Sequence, residues 1–335
     1  MPRSRTRALA ALLLASAFAA RAHAADVCAD PSASTTGTTA SRIAAVACAE
    51  HDLWYAPFID ENGRLANLRI SEAEGLRLRD GATPAWRRVA NYWQGSGAQW
   101  PASSMPAGAD CSGAGGDVAS ALCRTFLIDT PWSAVFVSYV MTRAGVPGFQ
   151  PSARHVDYVR DAFLHGDTGP YRLADPDAVA PAVGDLMCFA RTSQVFGVQG
   201  FRQWLDRPFA GSLPMHCDIV VSTSNGRARL VGGNVLQGVT MRVLPLNRLG
   251  QFWSLPRRVG GEPDCDPGNP SACNFNRQDW VALLKLNPSA NVPATSPLTP
   301  TAPTRCCVVC MLPMAPDMKR CPAPATEPVQ RTPAP

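Results

Sequence analysis

The sequence predicts an α+β domain, with helices first and a run of antiparallel strands after them. Three observations carry this. Apolar residues recur at helical spacing as far as about residue 163, whereas from Val183 they fall into short runs between turn residues. Asn225-Gly226, set between two such runs, is a strong hairpin signal. Helices followed by hairpin-linked strands is an α+β order with an antiparallel sheet.

Taken in order, residues 1–24 read as a secretory signal. MPRSRTR is basic, ALAALLLASAFAA is apolar but too short to span a membrane, and RAHA supplies the small residues for cleavage after Ala24. No later stretch is long and apolar enough to cross a membrane, so the expectation is an exported chain, periplasmic or secreted. Residues 25–84 form an N-terminal helical segment, with Ile43, Val46, Ala47 and Leu53 near helical spacing. Ser71 with Glu74 gives a capping-box pattern. Thr83-Pro84 opens a further helix through Trp86, Val89, Ala90 and Trp93, and GSGAQWPASSMPAGADCSGAGGD reads as loop.

The main domain is expected over residues 85–286. In DTPWSAVFVSYVMTRAG, Thr130 is an N-cap and Pro131 stands at N1, where a missing N–H costs nothing. Trp132, Val135, Phe136, Tyr139 and Val140 form its core-facing stripe, and Gly145 with Pro147 ends it. A second helix follows Ser152, carrying His155, Tyr158, Val159 and Phe163 on one side. VGDLMCFAR, HCDIVVSTSNGRARLVGGN and VTMRVLPL are the strands. From Asn287 to Pro335 the chain turns to Pro, Ala and Thr and is expected to be a disordered tail.

All twelve cysteines follow Ala24, which suits an oxidising compartment. Local spacing suggests Cys28 with Cys48, Cys111 with Cys123 and Cys265 with Cys273, and adjacent antiparallel strands could join Cys188 to Cys217. Cys307 and Cys310 form a CxxC in the tail, but no histidine or second CxxC follows at ligand spacing. No metal and no cofactor are therefore expected. The formal charge of +5 falls close to neutral without the four arginines of the leader, and no basic stripe with interleaved aromatics argues for nucleic acid. Nothing specifies an oligomeric state.

The motifs PWSAVFVSYVMTRAGV, SARHVDYV, GDLMCFAR, HCDIVV and GGNV, spread over roughly residues 85–255, resemble the bacterial family called domain of unknown function 2272. Their order, a nucleophile position at a helix N-terminus, a strand opening with Gly-Asp, a histidine at the next strand and a polar residue on the one after, is similar to papain-like cell-wall hydrolases. These include the NlpC-type endopeptidases and the cysteine, histidine-dependent amidohydrolases/peptidases. The resemblance implies a papain-like fold with N-terminal helices packed on a small antiparallel sheet or barrel. It also implies peptidoglycan or a peptide as the substrate. In such enzymes the nucleophile is a cysteine; here Ser133 stands at that position.

The chemistry of the layout is independent of the family. The first amides of a helix lack partners and favour a developing anion. A serine is much harder to ionise than a cysteine, so Ser133 would need a general base, for which His216 is the candidate. Asn234 or Asp218 would orient His216; Asp218 shares its strand face by alternation. Alternatively Ser133 is only a first-turn cap, His216 a structural histidine and Asn234 a turn residue. Trp132, His155, Tyr158, Asp185 and Arg191 are candidates to bind substrate, although Asp185 could instead hold the turn before its strand and Arg191 could simply be solvated. Cys217 adjoins His216 but points to the opposite face, so it is no nucleophile for it. The function expected is amide hydrolysis by Ser133, His216 and Asn234 or Asp218. The alternatives are a cell-wall or peptide binding module without catalysis, or a structural envelope protein.

Overall fold

The computed structural model describes residues 28, 37–72, 75–99, 111, 116–208, 211–261, 265–292, 306–307 and 319–320. The chain divides into two compact units, Met1–Ala294 and Thr295–Pro335. In the second, Cys306–Cys307 and Lys319–Arg320 pair as short parallel strands. The predicted signal segment and nearly all of the proline-rich tail lie outside the described residues.

The first unit is α+β. Its described helices are α1 (Thr39–Leu53), α2 (Ala85–Gly95), α3 (Asp117–Asp129), α4 (Ser133–Ala144), α5 (His155–Leu164) and α6 (Gly197–Leu205). Its strands are β1 (Phe58–Ile59), β2 (Leu65–Ala66), β3 (Tyr171–Ala174), β4 (Leu186–Ala190), β5 (Met215–Ser222), β6 (Arg227–Val235), β7 (Gly238–Pro245) and β8 (Asp279–Leu286). No described helix is long and apolar enough to cross a membrane.

The expected hairpins form: β5, β6 and β7 are consecutive antiparallel neighbours, and Asn225 and Gly226 both take the positive φ that a tight hairpin turn needs. The sheet is nevertheless larger than the small antiparallel one expected. It has eight strands in the order β2-β1-β7-β6-β5-β4-β8-β3, and β1 pairs with β7 in parallel. The added strands are β1 and β2 at one edge and β8 and β3 at the other, where the run DWVALLKL of β8 returns from the far end of the unit to insert between β4 and β3. It is covered on both faces along nearly its whole length, so it shows no polar alternation.

Two apolar clusters account for that double covering. The larger joins α1, α2, α4 and α5 to one sheet face through residues such as Ile43, Val135, Phe136, Cys217, Ile219 and Val231. The smaller, with Met187, Phe189, Val220, Leu230, Leu244 and Trp280, fills the other. Cys188 and Cys217 stand directly opposite each other and are bonded, while Phe189 opposite His216 and Met187 opposite Asp218 share the other side. The other three expected pairs, Cys28–Cys48, Cys111–Cys123 and Cys265–Cys273, are also joined.

Three local expectations need correction. Helix α4 begins at Ser133 rather than Pro131, because α3, which the glycine-rich sequence before it obscured, runs to Asp129 and takes Thr130 as its C-cap. Ser71 and Glu72 are not helical, and Glu74 lies outside the described residues. The folded unit also continues past Leu286. Asn287 Nδ2 donates to the Gly166 and Gly169 carbonyls at 2.8 Å, and the Val292 carbonyl accepts from Thr39 N at 2.9 Å. Asn291 Oδ1 accepts from Ala40 N at 3.0 Å, so the start of α1 and the end of the unit clasp each other.

Candidate functional site

Ser133 is the first residue of α4 and His155 the first of α5. The packing of the two helix starts brings Ser133 Oγ to 2.9 Å from His155 Nε2. Both residues are buried, at 5% and 4% exposure. His155 Nδ1 is buried and finds no partner among the described residues. Burial, and next the charge of His216, push the His155 pKa well below 6.5, with Asp218 opposing and Arg191 adding to the lowering. The imidazole is therefore held neutral. With Nδ1 protonated, Nε2 is free to accept the serine proton.

His216 was the expected base, yet its Nε2 is engaged elsewhere, 2.7 Å from Asp218 Oδ1. Its ring centroid lies 5.2 Å from that of His155 and 5.1 Å from that of Phe189. The second carboxylate oxygen of Asp218 accepts from Arg242 Nε at 3.1 Å, and Arg242 Nη1 donates to Asn276 Oδ1 at 2.9 Å and to the Phe275 carbonyl. Burial works to raise the Asp218 pKa, but His216 and Arg242 outweigh it and hold the carboxyl at about 2. Arg242 lies within 6 Å of the Phe189 and Trp280 rings, which close the network from that side.

Of the two candidates to orient His216, Asp218 makes the bond. Asn234, on β6 with φ 55°, bonds neither histidine among the described residues. The two glycines before it have separate reasons. A Cβ on Gly232 would lie 1.9 Å from Asp218 Oδ1 and 2.9 Å from His216 Nε2, and one on Gly233 would lie 2.4 Å from Phe136 Cβ. The Gly-Gly pair thus lets β6 pass between the Asp218–His216 pair and α4.

The remaining candidates separate. Trp132 is fully buried, stacked on Trp54 and Tyr92, and its Nε1 donates to Glu72, so it has no open face for a ligand. Burial raises the Glu72 carboxyl to about 7, against the lowering effect of that bond. The Tyr158 hydroxyl is shared among the Ala134 carbonyl at 2.6 Å, Ser138 Oγ at 2.5 Å and the Ser152 carbonyl, tying α5 to the first turn of α4. Asp185 is away from the site: it pairs with Lys285 and accepts from Leu286 N and Ala182 N, binding β4 to β8. Arg191 is exposed just beyond β4, and its guanidinium makes no hydrogen bond among the described residues. Arg242 and Glu72 were not singled out from the sequence, and His155 was expected to bind substrate rather than to meet Ser133. Among the described residues, no group of three His, Cys, Asp or Glu side chains is disposed to hold a metal ion.

A cavity of about 850 Å³ lies alongside α5. Tyr158 contributes to its wall, whereas Ser133, His155 and His216 do not.

A family model described as an uncharacterized protein conserved in bacteria, domain of unknown function 2272, matches residues 80–286. No curated protein and no solved structure matches.

Proposed function

The chain belongs to the bacterial domain of unknown function 2272 family, and from that premise we propose that it is an exported serine-dependent hydrolase of amide bonds, with peptidoglycan as its substrate class. The observation that carries the proposal is the 2.9 Å contact of Ser133 Oγ with a neutral-held His155 at the first turn of α4. In this reading Ser133 Oγ attacks the carbonyl carbon as His155 Nε2 takes its proton. The unpartnered first amides of α4 face the negative charge that develops on the carbonyl oxygen. His155 returns the proton to the leaving amine, and water activated by the same nitrogen cleaves the acyl-serine. His216, bonded to Asp218, which Arg242 holds in turn, sets the electrostatic surroundings of His155 without touching Ser133. A papain-like scaffold is part of the proposal, supported by the order of helix N-terminus, β4, β5 and β6. The four disulfides favour an oxidising compartment.

The burial of Ser133 and His155 favours a second reading, a wall-binding module that keeps the scaffold without turnover. Digestion of purified peptidoglycan separates the two. The hydrolase reading expects cleavage that Ser133→Ala abolishes without lowering Tm; full activity in that variant overturns the assignment. Binding without cleavage by the natural protein, with turnover gained in Ser133→Cys, supports the module.

A further inference from the structure

We propose that the cavity beside α5 is a binding site for a neutral saccharide. Its about 850 Å³ falls within the range of roughly 300–1,000 Å³ typical of small-molecule sites. One wall is apolar: Phe149, half-buried, packs at 5.1 Å from Tyr158 and 6.4 Å from Tyr171, and Pro151 and Pro170 extend that surface. Such a wall suits the C–H face of a sugar ring. The rest of the lining includes planar polar groups, Gln99, Gln150, Arg154, Asp157 and Asp161.

Charge selects among ligands. Asp157 Oδ2 already accepts from Arg154 Nε at 3.1 Å and Ser152 Oγ at 2.6 Å, and Asp161 Oδ1 pairs with His165 Nδ1 at 3.0 Å. Arg154 offsets one of the two carboxylates, so the wall has no spare positive group to hold an anion. What remains is hydrogen-bonding capacity. The second oxygen of each carboxylate and the Gln99 amide make no hydrogen bond among the described residues. Hydroxyl groups that both donate and accept match this mixture of free acceptors and amides.

The cavity excludes Ser133 and His155, so the saccharide site stands or falls separately from hydrolysis. Calorimetric titration of the full chain with tri-N-acetylchitotriose, a neutral trimer, tests it. Saturable binding is expected, weakened about tenfold or more by Phe149→Ala and by Gln99→Ala. Circular dichroism melts report whether each variant is folded. Gln99 is exposed, so that variant decides the matter if Phe149→Ala fails to fold. No saturable heat overturns the proposal. So does binding indifferent to Gln99→Ala, or tighter binding of the fully deacetylated, cationic trimer.

Discussion

Ser133 has an imidazole partner, but it comes from a helix and not from the strand that the order of motifs pointed to. The Asp218–His216 contact was legible, because residues two apart on a strand share a face. The Ser133–His155 contact was not, because it depends on how two helix starts pack across a sequence separation of 22. If the hydrolase reading holds, His155→Gln lowers kcat by about 10²–10⁴-fold. His216→Asn leaves Ser133 and its base in contact, and the expected change is in the pH profile. The charge of His216 lowers the His155 pKa, so its removal moves the acid limb of kcat/KM to higher pH. An unmoved limb would remove His216 from the electrostatics of the base. Glu72 gives a stability readout at the same scale. Its carboxyl titrates near 7 when folded, above its ordinary 4.5, so the fold favours the protonated form. That contribution is complete below about pH 4.5 and is lost as pH rises through 7. Glu72→Gln keeps an acceptor for Trp132 and cannot ionise. Urea unfolding should show the variant more stable at pH 8 by on the order of 2–3 kcal/mol, with the gap closing near pH 5.

Among the elements, those with uninterrupted periodicity were readable and those that depend on remote partners were not. Helices α1, α2, α4 and α5 and strands β4 to β7 follow their apolar patterns. By contrast, α3 adjoins a glycine-rich stretch, and β8 is apolar on both sides, so neither has a one-faced signature. The two glycines of β6 are a packing device, one against Asp218 and His216 and one against Phe136. Gly233→Ala should therefore destabilise the unit by about 1–3 kcal/mol through overpacking. Combining it with Phe136→Gly, which removes the opposing Cβ as well as the ring, should cost less than the sum of the two separate changes. Additivity in that cycle, measured by chemical denaturation, would show that β6 and α4 do not press on each other at this point.

For the molecule as a whole, composition marked where the proline-rich sequence begins, but not how far the packed structure extends into it. Residues 287–292 show no apolar periodicity, yet they satisfy the Thr39 and Ala40 amides at the start of α1. A chain ending at residue 294 should melt like the full chain. One ending at Leu286 loses these bonds and should melt roughly 5–10 °C lower. Equal melting of the two truncations would mean that the clasp contributes nothing. The same clasp gives the unit an almost circular connectivity, since Thr39 and Val292 touch across a sequence separation of 253. Where the chain is cut is then partly a matter of choice. Residue 292 joined to residue 38 by a short linker, with new ends opened in the exposed turn at Ser224–Asn225, should give a permutant of the same fold. In that permutant the longest-range closure of the native chain becomes a local one, made early in folding rather than after the sheet is built.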